Sequence, residues 1–138
     1  TSSGTLARIN WILKLKPDIV ILVIGANDGL RGIDPDLIKT NLLTLVRTLK
    51  EKSVTVLIGG MQMAQNLGEE YVSAFENNYP LIAQEEKVDL IPFFLTGVAA
   101  NPDLNQTDGI HPTAEGYRVI VDHIFPHVVE AIEEHRAK

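Results

Sequence analysis

Two short segments hold residue types and spacings that can do chemistry. Asp108-Gly109-Ile110-His111 places a carboxylate three residues before an imidazole. At that spacing the carboxylate can accept from one ring nitrogen. It then fixes the tautomer, leaves the other nitrogen as a base and stabilises the imidazolium that forms. Gly25-Ala26-Asn27-Asp28 follows an apolar run, and its glycine permits a tight turn that presents the Asn27 amide. An amide N–H aimed at a developing negative charge is an oxyanion donor. A donor of that kind with an oriented base is most of what acyl transfer requires. Each segment also has a plainer reading. Asn-Asp-Gly after a strand is common turn chemistry, and Asp108 can be a loop or capping aspartate.

A nucleophile is harder to find. The chain has no cysteine, which excludes a thiol nucleophile, a thiolate metal site and disulfides. Its serines are Ser2, Ser3, Ser53 and Ser73. Ser53 opens a strand pattern, Ser73 lies within a helical one, and none sits in a G-x-S-x-G elbow. Thr107 adjoins Asp108 without an activating context, so no nucleophile is assigned in this chain. His123 and His127 have the i,i+4 spacing of metal ligands. No third ligand stands out nearby, so a helix face is the preferred reading. Met61 and Met63 can line an apolar pocket or simply pack.

The elements that must position these residues alternate between helix and strand. Leu6, Ile9, Ile12 and Leu13 follow helical spacing that ends near Lys16-Pro17. Ile19–Ile24 is a continuous apolar run, as expected of a strand covered on both faces. Asp34-Pro35 reads as an N-cap and first helical residue, followed by the stripe Ile38, Leu42, Leu45, Val46 and Leu49. Val54–Ile58 is a second strand, stopped by Gly59-Gly60. A helix over Glu69–Lys87 is expected to kink or divide at Pro80. Val88–Ile91 is a third strand, and Phe93–Thr107 reads as loop with room for one helical turn. The last helix starts near Thr113 and is expected to bury Tyr117, Ile120, Val121, Ile124 and Val128, with Pro126 a potential break. This order implies a parallel sheet with helices on both faces. Both chemical segments follow strand ends on the carboxyl side, where open α/β sheets bind ligands.

Length and charge narrow the class. The 138 residues suffice for one domain with a core, and the net charge of −6, without a Lys/Arg cluster, argues against a nucleic-acid partner. No apolar run approaches the roughly 20 residues of a membrane span. The chain opens Thr1-Ser2-Ser3-Gly4 without methionine, as after processing or loss of a leading segment. Three strands also fall short of the about five usual in a doubly wound sheet.

Pro17–Gly32 resembles the third conserved block of the SGNH (GDSL-type) hydrolases, and Asp108-Gly109-Ile110-His111-Pro112 matches their fifth. Asn66-Leu67-Gly68, Tyr71 and Ile91-Pro92-Phe93-Phe94 look like the branch of thioesterases, lysophospholipases and arylesterases. The resemblance implies a flavodoxin-like three-layer α/β/α sandwich, of which residues 1–138 are the C-terminal two-thirds of a single domain. It implies a Ser-Asp-His triad acting through an acyl-enzyme on a small ester or thioester, without a cofactor. In that reading His111 is the base, Asp108 its orienter, Asn27 an oxyanion donor, and Gly25 shapes the loop. The Gly-Asp-Ser block is absent, and Gly4 does not align with the second-block glycine. The serine is therefore expected on a missing N-terminal segment or companion fragment, and the location to be periplasmic or secreted. The alternatives are a non-catalytic flavodoxin-like binding module and a metal-dependent hydrolase using Asp108, His111 and a histidine of the last helix.

Overall fold

Largely apolar runs form three parallel strands in the order β1-β2-β3: β1 (Ile19–Val23), β2 (Thr55–Gly59) and β3 (Asp89–Ile91). The computed structural model describes residues 1–137. Ile19 pairs with Thr55 and Val23 with Gly59, while Leu57 pairs with Asp89 and Gly59 with Ile91. The helices are α1 (Ser2–Ala7), α2 (Ile9–Lys14), α3 (Ala26–Leu30), α4 (Pro35–Lys50), α5 (Glu69–Glu86) and α6 (Ala114–Arg136), with a 3-10 turn at Gln65–Leu67. One layer, α4 and α5, packs on Val20, Leu22, Val56 and Ile58. Its stripe of Ile38, Leu42, Leu45, Val46 and Leu49 is buried as the pattern predicts. On the other face α6 packs across all three strands, with Ala131 against Leu57 and Ile91.

The structure departs from the sequence expectations in several places. The first helix is two helices, broken at Arg8, whose φ of −108° and ψ of 6° are not helical. The turn after β1 is itself the short helix α3. Neither proline ends its helix. Pro80 lies within α5 because Phe75, Tyr79, Ile82 and Ala83 anchor the turns on both sides in the core. Pro126 lies within α6, held between Ile120 and Ala131. Of the residues expected to be buried by α6, Ile120 is, Ile124 and Val128 are half-buried, and Tyr117 and Val121 are each 53% exposed. The row packed on the sheet is Ile124, Val128 and Ala131, with Ile120 buried a turn earlier, and Tyr117, Val121 and Phe125 form an exposed row. β1 is only partly covered on its α6 face: Ile19 packs against the Leu57, Ile91 and Ala131 cluster, but Ile21 and Val23 are exposed, because α6 centres over β2 and β3 and β1 is an edge. Residues 93–107 form successive turns, in keeping with the loop expected there.

Candidate active site

The residues 104–113 are folded back on themselves before α6. Thr113 N–H donates to the Leu104 carbonyl, Gln106 N–H to the His111 carbonyl at 2.7 Å, and Gly109 N–H to the Gln106 carbonyl at 2.8 Å. Asn105 and Pro112 form an antiparallel bridge, and the buried Asn105 amide donates to the Val98 and Asn101 carbonyls. Gly109 turns the tip with φ 69°. Asp108 organises that tip. Its Oδ1 accepts from the Ile110 and His111 backbone N–H groups at 2.9 and 3.0 Å, and its Oδ2 meets His111 Nδ1 at 2.7 Å. The backbone N–H of His111, the His111 ring and the backbone N–H of Ile110, in that order, hold the Asp108 carboxyl well below the usual carboxylate range. An ionised carboxylate only accepts, so Nδ1 carries a proton, and in the neutral ring the lone pair is on Nε2. Nε2 makes no hydrogen bond with any described residue, and the side chain is 67% exposed. This is an oriented imidazole open to solvent.

Asn27 lies beyond the carboxyl end of β1, in α3. Gly25 precedes that helix with φ 101°, and a Cβ there would stand 2.2 Å from the Tyr79 hydroxyl. That hydroxyl donates to the Ile24 carbonyl at 3.0 Å. Burial, then the charges of Asp28 and Tyr71, push the Tyr79 phenol well above its ordinary value, so it stays a donor. Gly25 is thus required twice, for its φ and for the approach of Tyr79. Gly25→Ala is expected to destabilise the fold by roughly 2–5 kcal/mol, as backbone strain and overpacking combine. The check is the urea midpoint; an unchanged midpoint would show that the turn relaxes. The Asn27 side chain is exposed and makes no hydrogen bond with any described residue. The helix-capping and turn-closing bonds that an asparagine often forms are not made here. Asn27, Gly25, Thr1, Thr5, Arg8 and Met61 line a cavity of about 230 Å³.

Asp108 and His111 are therefore joined directly, and Gly25 and Asn27 share a cavity wall, but no described cavity is lined by both His111 and Asn27. The hydroxyls sort clearly. Ser2 is fully buried and donates to Asp28 Oδ1 at 2.7 Å. Ser3 accepts from Asn41, and Ser73 from Asn77 on the same helix. Ser53 is exposed after α4 with φ 60°, and Thr107 is exposed. None of these is bonded to a histidine; the buried Thr55 hydroxyl, at the start of β2, lies 3.1 Å from His135 Nδ1. His123 Nε2 lies 3.1 Å from the Phe93 carbonyl oxygen, and its ring packs edge-on to His127. Among the described residues no three His, Asp or Glu side chains are grouped to hold a metal, and no helix is long and apolar enough to cross a membrane. Sequence reasoning missed the contribution of Thr1, Thr5 and Arg8 to the Asn27 cavity. Thr5 lies in α1 and Thr1 and Arg8 cap it, and with Val23 and Ile24 they line that cavity at the end of β1.

Comparison with known proteins adds independent findings. The model of the GDSL-like lipase/acylhydrolase family matches residues 1–119. Esterase TesA of Pseudomonas aeruginosa is 37% identical over 127 residues, covering 91% of this chain and 63% of that protein. Thioesterase 1/protease 1/lysophospholipase L1 of Escherichia coli is 36% identical over 123 residues, covering 88% of this chain and 59% of that protein. The chain thus spans about three-fifths of the length of these relatives. A crystal structure of TesA superposes with a TM-score of 0.89 at 36% identity, over 95% of this chain and 73% of that one. The fold is accordingly a flavodoxin-like parallel α/β fold.

Proposed function

We propose, from the premise that the chain belongs to the GDSL-like lipase/acylhydrolase family, that it supplies the base and an oxyanion donor of a serine ester hydrolase. The observation that carries this reading is His111, whose Nδ1 is held by an ionised Asp108 at 2.7 Å while Nε2 is free. The unspent, exposed amide of Asn27 beyond β1 supports it. The substrate is a small carboxylic ester or thioester, in keeping with the esterase and thioesterase names of the relatives. Aryl esters and lysophospholipids belong to the same class.

The attacking hydroxyl comes from outside these 138 residues. Residues 1–138 then form the C-terminal part of one hydrolase domain, and the complete enzyme carries its serine on an N-terminal segment. A periplasmic or secreted location belongs to the same reading. In the first step His111 Nε2 removes the serine proton as the oxygen bonds to the acyl carbon. The carbonyl electrons move onto oxygen, where the Asn27 N–H donates to them. As the tetrahedral species collapses, the imidazolium returns the proton to the leaving alkoxide or thiolate. Water then attacks the acyl-enzyme with the same base, releasing the acid. All of this chemistry is carried by side chains.

The isolated 138-residue chain is expected to hydrolyse p-nitrophenyl butyrate no faster than buffer, because triad members act as a unit and a base alone has nothing to activate. The complete enzyme is expected to turn the ester over and to carry the acyl group, by intact mass, on a serine outside this segment. Turnover by the chain alone, verified as a single species by mass, would overturn the assignment and direct attention to Thr107 or Ser73.

A further inference from the structure

Asp28 follows Asn27 directly, yet its side chain is buried, 1% exposed, and engaged elsewhere. Its Oδ2 accepts from the Ser2 backbone N–H at 2.8 Å and its Oδ1 from the Ser2 hydroxyl at 2.7 Å. The Ser2 hydroxyl oxygen in turn accepts from the Asn41 amide at 3.0 Å, and Asn41 also donates to Ser3. Ser2, Asp28 and Asn41 are all buried, and Asp28 forms no ion pair with any described residue. A buried carboxylate held only by neutral donors is costly to keep, and an apolar side chain would pack the same space at less cost.

The position of Ser2 explains what this contact does. Ser2 opens α1, and Thr1, its N-cap, lines the same cavity as Asn27. The Asp28–Ser2 pair of bonds therefore ties the wall that contains Thr1 to the wall that contains Asn27. The helix α3 that carries Asn27 is only five residues long and cannot set its own orientation. It is held by Tyr79 on the Ile24 carbonyl, by Ile33 N–H on the Asp28 carbonyl, and by the Asp28 side chain on α1. The first two fix where α3 begins and ends, and the third fixes its rotation.

We infer that Asp28 is a positioning residue for Asn27, locking the α3 helix against the start of α1 so that the Asn27 amide is aimed before substrate arrives. The inference rests on the oxyanion role proposed above. Misplacing a donor by a fraction of an ångström leaves substrate binding largely intact but weakens it where charge develops, so the loss falls on kcat.

The test is a double-mutant cycle in the complete enzyme with p-nitrophenyl butyrate. Asp28→Ala is expected to lower kcat about tenfold or more while KM stays within about twofold. In an Asn27→Ala background the same change is expected to lower kcat less than about twofold, because the donor it aims is already gone. Asp28→Asn, which keeps the volume and one acceptor, should restore part of the loss. Where Asp28→Ala does not fold, the cycle with Asp28→Asn decides on the same criterion. Effects that multiply, or an unchanged kcat in the Asp28 variant, would overturn the positioning role while the oxyanion role stands. An Asn27→Ala enzyme with unchanged kcat would instead remove the oxyanion role itself, and with it the reason to position that residue.

Discussion

Replacing His111 by alanine in the complete enzyme is expected to lower kcat about 10⁶-fold, to the rate left by binding and oxyanion donors alone. The expectation follows from the ring's geometry. Asp108 bonds Nδ1, Nε2 is the free lone pair, and no second histidine shares that loop. Asp108→Ala should cost less, about 10²–10⁴-fold, because imidazole without its carboxylate remains a base, only poorly oriented. The two changes together should cost no more than His111→Ala, since Asp108 acts only through the ring. The pH profile gives a second measurement. Three hydrogen bonds from the Ile110 and His111 backbone and the His111 ring hold Asp108 below the usual carboxylate range. A carboxyl depressed in the folded state keeps its stabilising charge above its unfolded value and loses it only as the pH falls through the lowered one. The ordering of the 108–111 tip should therefore survive through the ordinary carboxylate range and fail only in stronger acid. A loss of kcat/KM within the ordinary carboxylate range is then not release of the loop. Retention of most of kcat by His111→Ala would remove the base assignment.

What could be read from the sequence divides along the range of the forces involved. The strands were legible because β-branched runs with few polar interruptions have one stable use, a sheet covered by helices, and α4 was legible because Asp34-Pro35 and a complete apolar stripe mark it. Asp108 and His111 were legible because the bonds of the Asp108 side chain close within three residues. The rest depends on contacts between distant segments. A five- or six-residue helix such as α1 or α3 is too short for a periodic stripe and forms because Ser2 meets Asp28, 26 positions away. The asparagine–aspartate pair looked like local turn chemistry, yet Asp28 binds α1 and Asn27 binds nothing described. The prolines do not divide α5 or α6, because core anchoring that only the packed structure reveals is set against local propensity. Nor does the stripe on α6 declare in advance which of two adjacent rows meets the sheet.

Asn27→Ala is expected to lower kcat roughly 10²–10³-fold, about 2.7–4 kcal/mol of transition-state stabilisation, with little change in KM. The amide N–H bonds a neutral carbonyl weakly and an oxyanion strongly, so its contribution is concentrated in the transition state. Asn27→Asp separates this from a purely structural role. Aspartate accepts the same backbone conformations as asparagine, and in this protein the side chain makes no hydrogen bond that the fold could lose. The melting temperature of Asn27→Asp should therefore stay close to that of the unchanged enzyme. Its kcat should fall at least as far as that of Asn27→Ala, because a donor has been replaced by a negative charge facing a developing negative charge. A loop-shaping asparagine makes the opposite forecast, with near-normal kcat in Asn27→Asp. That result would take Asn27 out of the site and leave the catalytic reading on Asp108 and His111 alone. Measuring kcat, KM and Tm for both substitutions in the complete enzyme separates the two, because only an oxyanion donor loses kcat while keeping both KM and Tm.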